Sequence, residues 1–77
     1  MTWGPWAEGL TPGERVARLR ALRVVVRLLA GGTVEAVALL RDAETNPAAL
    51  EPARLAVEAL PTRTMRRVLS SYLAGTR

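Results

Sequence analysis

The pattern of apolar and polar positions predicts an all-α chain. In the last segment Met65, Val68, Leu69, Tyr72 and Leu73 recur at helical spacing, with Arg63, Arg66, Arg67 and Ser70 opposite. Leu50, Ala53, Val57 and Leu60 give a second such stripe, and Val34, Val37, Ala38 and Leu40 a narrower third. No alternating pattern of strand type is sustained. Val24-Val25-Val26 is β-prone, but it lies within a longer helical pattern and reads as helix.

Punctuation sets the boundaries. Thr11-Pro12-Gly13-Glu14 has the form of a capping box, with Pro12 suited to the first helical position. Gly31 offers a left-handed stop, so the first helix is expected to end there. A second helix is expected from near Thr33 to Ala43 or Glu44. Asn46-Pro47 can cap a third element. Pro52 then allows either a short turn and a helix to about Leu60, or one kinked helix. Pro61-Thr62 opens the last helix, which runs to Ala74.

The first helix differs from the others. At about 100° per residue, Leu19, Leu22, Val25, Val26 and Leu29 form one apolar face, and Ala17, Ala21, Val24 and Leu28 an adjoining one. Only the strip carrying Arg20, Arg23 and Arg27 is plainly polar. A helix apolar over most of its girth needs cover on more than one side. The expected fold is therefore a small three- or four-helix bundle with this helix at its centre. Residues 1–10 form a Trp-containing arm and residues 11–77 a single helical domain.

Cover can come from the chain's own helices or from a second copy. Seventy-seven residues bury a small core. Without cysteine there is no disulfide to reinforce it, so self-association is expected. Leu19, Leu22, Val26 and Leu29 have the spacing of an interface seam. Trp3 and Trp6 flank Gly4-Pro5. They are candidate anchors for a protein partner, or a lid folded over a core that has no Phe.

Composition removes much chemistry. The chain has no His and no Cys, hence no imidazole base and no thiolate ligand. Gly31-Gly32 lacks the lysine and preceding strand of a phosphate loop. Ser70, Ser71 and Tyr72 have no histidine to activate them. Asp42 and Glu44, two apart, do not share a helix face. A non-enzymatic protein without cofactor or metal is expected. The opening Met1-Thr2-Trp3-Gly4-Pro5 lacks the basic start and apolar run of a secretory signal, and no apolar run is long enough to span a membrane. The expected location is the cytoplasm.

Charge is segregated along a chain of net +4. Residues 15–27 carry +5, residues 33–60 carry −3 and residues 61–77 carry +4. Every basic residue is Arg. A lysine-free chain rich in Ala, Arg, Gly and Leu is also what GC-rich coding produces, so the position of the charge carries the argument. If Arg20, Arg23, Arg27, Arg63, Arg66 and Arg67 share one face, that face suits nucleic acid or a nucleoprotein assembly in a regulatory or packaging role. An acidic protein is the other partner this charge fits, or the basic helices pair with the acidic middle. The alternative function is a protein–protein adaptor or inhibitor anchored by Trp3, Trp6 and the first helix.

Leu10-Thr11-Pro12, Glu14-Arg15 and the Arg, Val and Leu-Leu pattern ending at Leu28-Leu29 and Gly31 is similar to the helix that precedes the helix-turn-helix in Trp-repressor-like proteins. That resemblance implies a compact helix-turn-helix next, with a small residue at the turn and a polar recognition helix. Thr33 to Leu60 departs from it, being Ala-rich, acidic and interrupted by Pro47 and Pro52. No functional residue is carried over.

Overall fold

A computed structural model of the chain describes residues 3–75. Met1 and Thr2 of the opening, and Arg77 of the basic tail, lie outside the described residues. Within them are four α-helices and no strand: α1 (Pro12–Ala30), α2 (Glu35–Ala43), α3 (Leu50–Glu58) and α4 (Thr62–Gly75), with 3-10 turns at Gly4–Trp6 and Pro47–Ala49.

The expected caps form. The Thr11 hydroxyl accepts from the Glu14 amide, and the Glu14 carboxylate accepts from the Thr11 amide. These bonds from Thr11 hold the Glu14 carboxyl below its ordinary value, with a smaller contribution from Arg18. Asn46 caps the Pro47–Ala49 turn by accepting from Ala48. That turn runs directly into α3, so Pro52 falls in the helix's first turn, where an N–H has no intrahelical partner to lose. The helix therefore starts at Leu50 rather than near Pro52. The start of α2 differs as well: it begins at Glu35 behind Val34, and Thr33 does not cap it.

α1 is the central helix. It packs against α2, α4 and the N-terminal turn, while α3 packs on α2. The core joins Leu19, Leu22 and Val26 of α1 to Leu40 of α2, Val57 of α3, and Val68 and Tyr72 of α4. Buried Ala36, Ala43, Ala49 and Ala53 allow these short elements to approach closely. In α2 the buried row is Ala36, Leu40 and Ala43, whereas Ala38 of the expected stripe faces outward.

The arm closes one end of the bundle. Pro5 is buried, and the Trp6 indole N–H donates to the Leu50 carbonyl at 2.8 Å. Trp3 stacks obliquely on Trp6, with ring centroids 5.1 Å apart, and meets Tyr72 edge-on at 6.0 Å. Arg18 donates to the Gly4 carbonyl and Arg15 to the Ala7 carbonyl. Gly4 has φ +51°, and a Cβ there would stand 3.1 Å from the Tyr72 ring. Backbone conformation and space both call for glycine at this point.

Burial pushes the Tyr72 phenol above its ordinary value of 10.0, against a smaller opposing pull from Arg18. The folded chain thus favours the neutral phenol. This contribution is intact below pH 10.0 and is lost as the pH rises through the raised folded value. Alkaline unfolding followed by ellipticity should therefore set in above that pH. It should shift to higher pH in Tyr72→Phe, which has no proton to lose.

Candidate anion-binding groove

The arginines expected to act together are distributed between two places. Arg20, Arg23 and Arg27 recur at i, i+3 and i+7 and so form one row on α1. α2 crosses beside this row. Glu44, the residue that ends α2, is nearly buried and takes two of the three: the Arg20 Nε donates to Oε1 at 2.8 Å, and the Arg23 guanidinium lies 3.1 Å from Oε2. Arg27 has no carboxylate partner among the described residues, and its stem lies beside Gly32.

Above this row the helices leave an open groove of about 450 Å³, lined by Arg23, Val24, Arg27, Gly32, Val37 and Arg41. Three guanidinium-bearing residues converge there, from both helices, and no carboxylate lines it. The adjoining groove further along α2 is mixed in charge, with Asp42 and Glu44 beside Arg23 and Arg41. Arg41 was not among the expected site residues. In the sequence it belongs to the acidic middle; only the packing of α2 on α1 brings it to Arg27.

Arg63, Arg66 and Arg67 are exposed on α4 and form no ion pair with another described residue. They do not line the groove. α4 meets α1 along the flank of Arg18 and Ala21, where Tyr72 and Leu73 complete a shallow hollow with Ala17 and Gly4. Ala21 is roughly 100° around α1 from Arg20. The expected single face of six arginines is thus corrected to an α1–α2 groove, joined by Arg41, and a separate basic surface on α4. Arg54 stands apart from both. It is held by Glu51 and Glu58 on its own helix, and its hydrogen bond lowers the Glu51 carboxyl below the usual range.

The expected interface seam is also corrected. Leu19, Leu22 and Val26 are buried and Leu29 is half-buried, because these are the side chains that α2 and α4 cover. Trp3 and Trp6 are half-buried in the arm's own packing against the core. The adjoining face of α1 stays open: Ala17 and Ala21 are exposed, Val24 is 52% exposed and Leu28 77%.

Among the described residues no group of three or more His, Cys, Asp or Glu side chains is placed to hold a metal ion, and no helix is long and apolar enough to cross a membrane. Comparison with protein-family models, with curated proteins and with solved structures finds no match to this chain. The similarity of Leu10 to Gly31 to Trp-repressor-like proteins therefore stands on those residues alone.

Proposed function

We propose that this protein is a small non-enzymatic module that docks on the phosphate backbone of nucleic acid through the α1–α2 arginine groove, in a regulatory or packaging role in the cytoplasm. The observation that carries this reading is the convergence of Arg23, Arg27 and Arg41 on a groove without a carboxylate. Like charges held side by side repel, and an anion between them turns that cost into attraction. A guanidinium presents a planar fork that matches two phosphate oxygens, so Arg27 and Arg41 are the principal phosphate contacts. Arg20 and Arg23, already engaged by Glu44, supply field more than free donors. Apart from its arginines, the groove's lining side chains are Val24 and Val37, which offer no hydrogen bonds, so the reading is one of backbone docking. Arg63, Arg66 and Arg67 extend the positive field from a second surface.

Docking of this kind has a dissociation constant on the order of 10⁻⁴ to 10⁻⁶ M at physiological salt. The two principal backbone contacts, Arg27 and Arg41, give a log–log salt slope of about −2. Titration of mixed-sequence duplex DNA across a range of salt tests the reading. Arg27→Ala and Arg41→Ala should each weaken binding on every sequence alike and flatten the slope by about one. Arg54→Ala should leave binding unchanged. A slope near zero, or equal losses in all three variants, would overturn the proposal.

A further inference from the structure

The apolar face of α1 that the chain leaves uncovered has a regular form. Ala17, Ala21, Val24 and Leu28 follow a 4-3-4 spacing, so they make one continuous ridge along the helix. Leu28 is 77% exposed and Val24 52%, the former a large side chain in water in the last turn of the protein's longest helix. Scattered exposed leucines are ordinary, but a ridge with one period on one element is a surface.

The ridge is graded in size: its first half is alanine and its second half is valine and leucine. A parallel copy would set Leu28 against Leu28 and leave a gap at the alanines. An antiparallel copy sets Leu28 against Ala17 and Val24 against Ala21, large against small at every level. A shallow hollow beside Ala17 and Ala21, completed by Gly4, Arg18, Tyr72 and Leu73, leaves room for Leu28 of such a copy. We infer that this protein self-associates as a two-fold dimer through the outer ridge of α1, packed antiparallel on the same ridge of a second copy. The ridge and Leu73 together offer on the order of 500 Å² per copy, or roughly 1,000 Å² for the pair, the threshold for a biological interface and the size of a weak dimer contact. The complementary surface is the molecule's own, which is why a second copy is the occupant.

This arrangement fixes where the charge goes. In an antiparallel two-fold pair, each flank of the ridge faces the same flank of the partner. Arg20 and Arg27 lie on one flank, some 70–90° from the ridge centre at about 100° per residue. The two arginine rows therefore meet on one side of the dimer, and the two grooves lined by Arg23, Arg27 and Arg41 join into one longer basic surface. Their mutual repulsion opposes dimerisation. Salt screens that repulsion, so association should strengthen as salt rises, the reverse of a contact held by ion pairs. The use of the joined surface for a polyanion rests on the reading proposed above; the dimer does not.

Sedimentation velocity of the full chain, without nucleic acid, tests the inference. At tens of micromolar the wild type should form a dimer that tightens with salt. Leu28→Asp should raise the dissociation constant at least about tenfold, as replacing the ridge's largest apolar contact with a charge does. Because Leu28 touches little within its own chain, helix content by circular dichroism should be unchanged. Leu55→Asp, which alters another exposed leucine, on α3, should leave dimerisation unaltered. A monomer at every concentration, a dimer that weakens with salt, or equal disruption by Leu55→Asp would overturn the inference. The Arg27→Ala and Arg41→Ala variants separate the two proposals: if they lose nucleic acid while the dimer persists, the ridge acts in its own right, and if nucleic acid never binds, the dimer result still stands.

Discussion

Leu22→Ala is expected to destabilise the protein by about 2–5 kcal/mol, the cost of removing a buried leucine and leaving part of the space unfilled. Leu22 is fully buried at the middle of α1, within the core that α2 and α4 complete. Several of the surrounding core positions are alanines, which cannot extend into the gap. Small domains are stable by roughly 5–15 kcal/mol, so this single change takes a large share. Leu55→Ala supplies the comparison. That side chain is 56% exposed on α3, and its loss should cost under about 1 kcal/mol. Chemical denaturation of the two variants reads the difference directly. Equal midpoints would mean that α1 is not the centre of the fold.

Glu44→Gln should move stability and binding in opposite directions. Glu44 follows directly on α2 as its C-cap, and its carboxylate meets Arg20 and Arg23 on α1, so it ties the two central helices together as well as neutralising charge. Replacing it with the amide removes the charge that Arg20 and Arg23 meet in a nearly buried place, at a cost of about 1–3 kcal/mol. The loss stays below that of a fully buried pair because Arg20 is largely exposed and regains water. The same change frees two guanidinium groups beside the groove. Affinity for duplex DNA should rise, and the salt slope should steepen by about one to two. Thermal melts and DNA titrations on the same preparation give both readouts. A variant that loses stability and affinity together would make Glu44 a purely structural residue and would count against the groove as the docking surface.

The helix boundaries were the most legible part of this sequence, because local chemistry decides them. The Thr11–Glu14 box, the proline at position 12 and Gly31 specify α1 through bonds that span at most four residues. The all-α class followed from periodicity alone. What periodicity could not decide was which of α1's two apolar faces the chain covers. Both are apolar, and the choice depends on where α2 and α4 fall. The covered face holds Leu19, Leu22 and Val26, the side chains with most area to remove from water, and the open one begins with two alanines. An argument from side-chain size would have favoured that assignment.

The site was legible in part. The α1 row of arginines was visible as spacing. Its restraint by Glu44 was not, since that pairing spans 24 residues from Arg20 and depends on how α2 crosses α1. Arg41 was hidden for the same reason: net charge by segment placed it in an acidic region, although it lines the same groove as Arg27. Arg15 and Arg18 were counted as charge, whereas they donate to carbonyls of the arm and help to seat Trp3 and Trp6.

Chemical-shift mapping with a short mixed-sequence DNA duplex is the most direct test of the groove as the working surface. Added DNA should perturb the arginine Nε–H signals of Arg27 and Arg41 and the amide of Gly32 first and most strongly, in fast exchange and reversibly with salt. Shifts centred on α3 around Leu55, or spread evenly over every arginine including Arg54, would contradict it.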